Sequence, residues 1–307
     1  MRKALVTGAG GFIGANVVET LVKRGFDCLG LDIHRGMLDR NFPLVESDIL
    51  DDNHLDRVLD DVEIIIHLAA SSLRTSIKNP KRNVQINVDG TLSILEAARK
   101  HGVRKVVYAS ASSVYGVPQY TPVDEEHPKL PETIYGVTKY AGEHLVRVYH
   151  ELHGIEYFIF RFTNVYGPKQ HPSTGGLVPV VLTRMHEGQP VFVFGDGMQT
   201  RDFVFVGDIV HFVARAVEES DKANETINLG SGIKTAIIDV IELCADVLGV
   251  EPVIEYKQRE SGERKGFQAD VSRCRKIFGE APDTHLREGL RRTAEWLAAR
   301  VWDRHAD

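Results

Sequence analysis

The sequence predicts an α/β protein in which a doubly wound parallel sheet is joined to a smaller C-terminal domain. From residue 1 to about residue 165, short apolar runs alternate with stretches of helical periodicity. Parallel strands need crossover connections, which are usually helices, so this alternation favours a parallel sheet with helices on both faces. A glycine-rich turn joins the first predicted strand, Ala4 to Val6, to the first predicted helix. The alternation weakens beyond a Gly- and Pro-rich stretch that begins at Val165, which indicates a boundary there.

The composition is that of a folded globular protein. Of the 307 residues, 43% are hydrophobic and 26% are charged, and no apolar run reaches the roughly 18 residues that a membrane helix needs. The formal net charge of −6 argues against a general nucleic-acid binder. The three cysteines are scattered without metal-ligand spacing, and no signal peptide precedes the first strand. We therefore expect a cytoplasmic protein without a metal, a membrane anchor or a nucleic-acid partner.

The turn after the first strand carries glycines at Gly8, Gly11 and Gly14, and the residues that follow have helical spacing. The N-terminus of a helix presents free backbone N–H groups that can receive a pyrophosphate. Gly8 permits a sharp turn, Gly11 allows close approach of a phosphate, and Gly14 lets the helix pack against the strand. Phe12 and Ile13 lie in the same turn, and we include them in the predicted nucleotide site.

Acidic residues follow the next predicted strands. Asp32 ends the run Cys28 to Leu31. It lies close to the roughly 20 positions after the last glycine at which a carboxylate holds the ribose hydroxyls. Such a carboxylate repels a 2′-phosphate, so we expect NAD to bind better than NADP, although Arg35 is near enough to reach a phosphate. The pair Asp48 and Ile49 lies in a loop that could reach an adenine edge.

The remaining periodicity divides the chain into two domains. The first domain spans 1–165, and the chain returns to it around 203–229. The smaller domain comprises 166–202 and 230–307. The predicted helices are Val84 to His101, Leu177 to Glu187, Thr235 to Leu248 and Leu286 to Trp302. The further predicted strands are Val103 to Ala109, Ile155 to Phe162 and Pro190 to Phe194, with Phe203 to Val206 and Thr226 to Leu229 rejoining the first sheet.

Tyr135 and Lys139 are the main candidates for chemistry. Residues at i and i+4 lie on one face of a helix. A free tyrosine titrates at about pH 10, and a nearby ammonium lowers that pKa, as would the positive charge of an oxidised nicotinamide. The couple is suited to moving a hydroxyl proton during hydride transfer. The alternative is an ordinary surface pair, because this spacing is common on helices.

The spacing G-x-x-G-x-x-G and the Tyr135–Lys139 pair resemble those of the extended short-chain dehydrogenase/reductase family. The resemblance is to its nucleoside-diphosphate-sugar epimerase branch, which is UDP-glucose 4-epimerase-like, and it extends along nearly the whole chain. It implies a Rossmann-type sheet, NAD as the cofactor, and Tyr135 with Lys139 as catalytic residues that also contact NAD. The segment His67-Leu-Ala-Ala, which ends the apolar run that begins at Ile64, resembles the one that passes under the cofactor, and it contributes Leu68, Ala69 and Ala70.

A serine cluster follows the strand that begins at Val103. Small hydroxyls at a strand end can bind a substrate oxygen and the tyrosine, although serine is also an ordinary turn residue. The family usually has Ser or Thr four residues before the equivalent of Tyr115, where this chain has Ala111. We assign the missing donor to Ser112. Ser110, or a site that relies on the tyrosine alone, are the alternatives.

Later motifs resemble the substrate side of the family. The segment around Asn164 resembles one whose asparagine contacts the sugar nucleotide, and Arg201 and Arg259 resemble two arginines that hold the diphosphate. The planar fork of arginine suits phosphate oxygens. By resemblance Phe267 faces the 2-substituent of the sugar and should disfavour N-acetylated sugars. His171 lies in the loop where acid-sugar epimerases tend to place a carboxylate-binding base, so a uronic acid stays open.

The expected function is NAD-dependent epimerisation of a nucleoside-diphosphate sugar, with a UDP-hexose at C4 as our first choice. A dehydratase or decarboxylase of the same family is one alternative, although those branches carry an acidic residue where this chain has Ser112 and Ser113. A non-catalytic NAD-binding sensor or scaffold is another. By resemblance we also expect a homodimer that pairs the Val84 to His101 helix and the helix of Tyr135. The identity of the sugar is left open.

Overall fold

The central sheet has seven parallel strands. The computed structural model describes residues 3–219, 222–258 and 266–302. The sheet strands are β1 (Lys3–Thr7), β2 (Asp27–Asp32), β3 (Leu44–Glu46), β4 (Ile64–His67), β5 (Lys105–Ala111), β6 (Glu156–Phe162) and β11 (Glu225–Leu229). Their order is β3-β2-β1-β4-β5-β6-β11. The chain therefore starts in the middle and winds outward in both directions, which confirms the predicted doubly wound fold.

Helices cover both faces of this sheet. The described α-helices of the whole chain, some of which pack in its later part instead, are α1 (Phe12–Lys23), α2 (Asp52–Val58), α3 (Leu73–Lys78), α4 (Pro80–Val84), α5 (Gly90–Lys100), α6 (Ile134–His153), α7 (Leu177–His186), α8 (Val206–Glu218), α9 (Ile237–Leu248), α10 (Ser272–Phe278) and α11 (Leu286–Leu297). In β1, Ala4 and Val6 pack with α1 and α8, whereas Leu5 packs with α5 and α6 on the other face. This division follows from the two-residue period of a strand, and it explains why the strands of this sheet are apolar throughout.

The later part of the chain forms three short paired ribbons. The remaining strands are β7 (Asn164–Tyr166), β8 (Val191–Phe194), β9 (Thr200–Arg201), β10 (Phe203–Phe205), β12 (Thr235–Ala236) and β13 (Ile254–Lys257). They pair as β7 with β10, β8 with β13, and β9 with β12. The prediction that Thr226 to Leu229 rejoins the first sheet is confirmed, because β11 pairs with β6.

The prediction that Phe203 to Val206 also rejoins that sheet is wrong. Phe203 to Phe205 pairs with β7 instead, outside the seven-stranded sheet. All three residues of β10 are buried. An apolar run indicates that a strand is buried on both faces, but it does not identify the strand with which it pairs.

Two predicted long helices change their winding. The first is broken by a π-helical turn at Gln85–Asp89, which lies between α4 and α5. The second ends in another π-helical turn at Ala298–Trp302. The extra residue in such a turn rotates the side chains that follow, and π turns are frequent at functional sites. In the part of the chain that the structure describes, no helix is long and apolar enough to cross a membrane.

Candidate active site

The glycine turn at the end of β1 has the geometry of a phosphate cradle. Gly8 has a φ of 72°, a conformation that favours glycine. A Cβ on Gly14 would lie 2.0 Å from the carbonyl oxygen of Gly8, so the packing of α1 against the turn requires a glycine there. Gly11 is the N-cap residue of α1 and provides no capping side chain. The first-turn N–H groups, which include those of Phe12 and Ile13, are therefore suited to bind a phosphate.

Asp32 lies beside this turn at the end of β2. Its Oδ2 accepts a hydrogen bond from the backbone N–H of Gly10 at 2.9 Å. This contact holds the carboxylate beside the glycine turn, in the position predicted for a ribose-binding carboxylate. Arg35 donates to the backbone oxygens of Asp39 and Phe42, each at 3.1 Å. These two bonds hold Nη1 of Arg35 against the loop in which Arg35 itself lies.

A cavity of about 280 Å³ opens at the same edge of the sheet. Its lining includes the predicted residues Gly8, Gly11, Asp32, Asp48, Ile49, Leu68, Ala69 and Ala70. Residues separated by up to 62 positions in the chain thus form one surface, with apolar walls and two carboxylates. This combination fits the adenosine half of NAD, because the walls can hold a flat base while the carboxylates accept from its amino and hydroxyl groups.

Tyr135 and Lys139 lie on the first two turns of α6. The hydroxyl of Thr133 caps this helix by accepting from the N–H of Gly136 at 3.0 Å. A Cβ on Gly136 would lie 2.6 Å from the carbonyl oxygen of Ser113, so the helix begins directly against the serine segment. Tyr135 is partly exposed, and Lys139 is buried. Burial raises the pKa of Tyr135 to about 12 and lowers that of Lys139 to about 7, with the charge of Glu143 opposing the second shift.

Tyr108 forms a support under the lysine. The Nζ atom of Lys139 lies 4.3 Å from the centre of the Tyr108 ring, which favours the charged ammonium. A Cβ on Gly142 would lie 2.1 Å from the Tyr108 hydroxyl, so this position must be small for the ring to fit. The sequence analysis did not select either residue, because their relation depends on how β5 packs against α6.

Glu143 continues the same helix face one turn further on. It is completely buried and binds Arg161 through two bonds, from Nε to Oε1 at 2.9 Å and from Nη2 to Oε2 at 2.7 Å. Burial raises the pKa of Glu143, but the Arg161 contacts outweigh that effect and leave it below its usual value. Ser110 donates to Oε1 at 2.6 Å. Its buried hydroxyl is thus committed to Glu143, whereas Ser112 is partly exposed at the strand end.

A buried amide joins the cofactor segment to the catalytic helix. In the π turn, the Asn87 side chain accepts from the N–H of Ser71 at 2.7 Å and donates to the Thr138 hydroxyl at 3.0 Å. Ser71 follows Ala70, and Thr138 lies between the two catalytic candidates. The contact therefore sets the distance between the cofactor segment and the tyrosine. A helical pattern in the sequence cannot reveal it, because it depends on the changed winding of the turn.

A second cavity, of about 370 Å³, lies among the short ribbons. Both Asn164 and Arg201 line it. The Asn164 side chain donates to the backbone oxygen of Asp202 at 3.0 Å, and Nη1 of Arg201 donates to the oxygen of Thr200 at 2.8 Å. Residues that the sequence analysis missed also line it, among them Gln170, Leu177, Phe192, Phe194 and Gln199. Aromatic and polar side chains in one concave surface suit a nucleotide.

The other predicted substrate residues have different settings. Phe267 is buried, and its ring centre lies 6.1 Å from that of Tyr115. The partly exposed His171 binds Ser173 through Nδ1 at 2.8 Å. Arg259 lies outside the described residues. The roles of these residues stay predictions.

Asp202 connects two later segments of the chain on this side of the molecule. Its buried carboxylate accepts from the N–H of Ser231 at 2.7 Å and from those of Gly232 and Ala269 at 3.0 Å each. Burial raises the pKa of Asp202, and these donors oppose the shift. Within residues 3–219, 222–258 and 266–302, no group of three or more His, Cys, Asp or Glu side chains could hold a metal.

The glycine cradle follows β1, and the helix of the tyrosine–lysine couple begins against the serine segment that follows β5, so both lie at the carboxyl edge of one parallel sheet. Fold and site together define a nicotinamide-dependent enzyme of the short-chain dehydrogenase/reductase type, as the sequence predicts.

Comparison with known proteins specifies the family. The chain belongs to the NAD dependent epimerase/dehydratase family, which matches residues 4–230. It is 36% identical to a putative UDP-glucose 4-epimerase of Methanocaldococcus jannaschii, over 95% of this chain and 97% of that protein. NAD is the cofactor, because the family is NAD-dependent and the cradle described above fits it.

Solved structures give the same assignment. The UDP-glucose 4-epimerase of Thermotoga maritima, in complex with UDP-glucose, superposes with a TM-score of 0.90 at 32% identity, covering 97% of this chain and 99% of that one. The UDP-glucuronic acid 4-epimerase of Bacillus cereus, in complex with UDP-glucuronic acid and NAD, superposes with a TM-score of 0.88 at 32% identity and the same coverage. These similarities confirm the prediction that the chain belongs to the nucleotide-sugar epimerase branch of the family.

Proposed function

We propose that this protein is an NAD-dependent 4-epimerase of a UDP-hexose. The observation that carries the proposal is the position of Tyr135 and Lys139, which begin α6 directly against the serine segment. The cofactor cavity is lined by Gly8, Asp32 and Asp48, and a separate cavity is lined by Asn164 and Arg201. In this proposal the diphosphate of the substrate binds in the second cavity and the sugar reaches Tyr135.

Tyr135 acts as the acid/base group in this proposal. When bound, NAD accepts a hydride from the substrate carbon and later returns it. The phenolic oxygen of Tyr135 takes the proton of the C4 hydroxyl, and it gives the proton back after the keto-sugar has turned its other face to the cofactor. A pKa of about 12 is too high for this task. Two positive charges lower it in the assembled site, namely the ammonium of Lys139 and the oxidised nicotinamide.

Two neighbours of Lys139 oppose the loss of its charge. Burial favours the neutral amine and lowers the pKa to about 7, although the Glu143 carboxylate one turn away opposes this shift. The face of Tyr108 provides a further attraction. Ser112 is our candidate donor to the C4 oxygen, because the Ser110 hydroxyl is bound to Glu143. Arg201 and Arg259 are the proposed diphosphate ligands.

A panel of UDP-sugars tests the proposal. Purified protein is incubated with NAD and UDP-glucose, UDP-glucuronic acid or UDP-N-acetylglucosamine, and the products are separated by chromatography. We expect C4 epimers of UDP-glucose or UDP-glucuronic acid, and slow turnover of the N-acetylated sugar if Phe267 faces its 2-substituent. The Tyr135→Phe variant is the control. A dehydrated or decarboxylated product favours the alternative enzymes, and NAD binding without turnover of any sugar favours a sensor.

We also propose a homodimer formed through α5 and α6. Val84, Leu92, Val137 and Val148 are exposed apolar residues on these helices and the adjoining α4, which suits a helix-pairing interface. A monomeric mass in light scattering at micromolar concentration would contradict it.

The division of the chain into a cofactor domain (1–165, with a return around 203–229) and a substrate domain (166–202 and 230–307) is likewise a proposal.

A further inference from the structure

Arg82 on α4 is held over the cofactor cavity by two contacts. Its Nη2 lies 3.0 Å from Oδ2 of Asp48, and its Nη1 lies 3.0 Å from Oε1 of Gln85. The other oxygen of Asp48 accepts from the N–H of Leu50 at 3.1 Å. The guanidinium is thus fixed from two sides, by a residue of its own helical segment and by a residue 34 positions earlier in the chain.

The charges of the cavity make this arginine unusual. Asp32 and Asp48 supply two carboxylates to the lining, and among the described lining residues Arg82 is the one Arg or Lys side chain. NAD carries two phosphates and is itself an anion. A cation at the base end therefore offsets the repulsion that the two carboxylates would otherwise exert on the entering dinucleotide.

The position of the arginine also suits contact with a flat base. Ile49 and Ile86 line the same cavity and provide apolar surface. A guanidinium is planar and stacks on aromatic faces, which an ammonium cannot do in the same way. The side chains of Arg82 and Asp48 are 39% and 35% exposed, so the ion pair is open to water before a ligand arrives.

We propose that Arg82 is a cofactor-binding residue that stacks on the adenine of NAD and, with Asp48, closes over the base. Asp48 can accept from the adenine amino group while Oδ2 keeps its bond to the guanidinium, because each carboxylate oxygen has two acceptor positions. When the base covers the pair, water is excluded and the ion pair strengthens. The result is slow release of NAD, which suits an enzyme whose cofactor is regenerated in each cycle.

The competing explanation is an ordinary surface ion pair, which contributes little by itself. Binding of cofactor fragments separates the two explanations. NAD-depleted Arg82→Ala and Arg82→Lys proteins are titrated with ADP-ribose, which contains the adenine, and with nicotinamide mononucleotide, which lacks it. Lys81→Ala is the matched control, since it removes the same charge one residue away and lines a different surface cavity.

We expect the Kd for ADP-ribose to rise about 5- to 30-fold in Arg82→Ala, the scale of a desolvated cation–π contact. Arg82→Lys should show a smaller rise, because it keeps the charge and loses the plane. Nicotinamide mononucleotide should bind all the variants equally, and stopped-flow displacement should show a faster release of NAD in Arg82→Ala. The proposal is overturned if Arg82→Ala matches Lys81→Ala with ADP-ribose, or if both fragments weaken to the same extent.

Discussion

The proposed cofactor half of this molecule, around the glycine turn, and the proposed substrate half, around the three short ribbons, are built in different ways. The cofactor half takes its phosphate cradle and ribose carboxylate from one continuous strand–turn–helix–strand unit, and backbone groups supply most of it. The substrate half takes its surface from side chains on three short ribbons, and one buried carboxylate, that of Asp202, joins its segments. A site made of local backbone is recognisable from residue spacing, whereas a site made by long-range assembly is not.

We expect the largest difference between the effects on turnover and on cofactor binding for Tyr135→Phe. The change removes the acid/base oxygen and leaves the cradle untouched, so turnover should fall by roughly 10²- to 10⁴-fold. NAD affinity, measured by calorimetry, should stay near the parent value, as should the thermal midpoint of unfolding. Turnover near that of the parent would remove Tyr135 from the mechanism.

A methyl group in the glycine turn should act in the opposite sense. In Gly14→Ala the new Cβ meets the Gly8 oxygen, so the turn or α1 must move. Overpacking of this kind costs about 1–3 kcal/mol, and NAD affinity should fall about 10- to 100-fold if the cradle bears that cost. Binding of UDP alone should change little. Equal loss of UDP and NAD binding would show that the two halves are not independent.

Substitutions in the serine segment separate a substrate-binding hydroxyl from a structural one. We expect Ser112→Ala to lower turnover by about 10-fold or more, the cost of one hydrogen bond to a charged group. Ala111→Ser should leave turnover equal or higher. Ser110→Ala should instead lower the thermal midpoint, because Glu143 loses a buried donor. A silent Ser112→Ala, together with a gain of 10-fold or more in Ala111→Ser, would mean that the parent lacks this donor.

The smallest expected effect concerns the choice of cofactor. A 2′-phosphate close to Asp32 meets a repulsion of about 1 kcal/mol at 4 Å in water, so NAD should bind about 5-fold or more tightly than NADP. Arg35 could offset this, but Nη1 donates to two loop carbonyls. Comparable affinity in calorimetry would show that Arg35 leaves those carbonyls for the phosphate.

The sequence predicted what depends on local spacing. The doubly wound sheet followed from periodicity, and the positions of Gly8 and Asp32 at the ends of β1 and β2 followed from glycine and acidic residues at known intervals. These features lie within single supersecondary units, where the sequence constrains the geometry directly.

The rest depended on which segments pack together. Asn87 is aimed by a π turn whose extra residue has no signature in a helical pattern. Glu143 meets Arg161 only because α6 lies against β6, and β10 pairs with β7 although its apolar run suits the main sheet equally well. The contact between Arg82 and Asp48 joins residues 34 positions apart, and residue spacing in the sequence does not show which of them pack together.

Asp202 has a consequence for the order of folding. Its carboxylate binds Ser231 and Ala269, which lie 29 and 67 positions after Asp202 in the chain. The bond to Ala269 can form only after a long loop has closed. Closing long loops costs chain entropy before any contact is gained, so structures rich in such contacts form slowly. The cradle around Gly8 needs only its neighbouring strands. We therefore expect protection from hydrogen exchange to appear in β1, β2 and α1 before it appears around Ser231 and Ala269 during refolding.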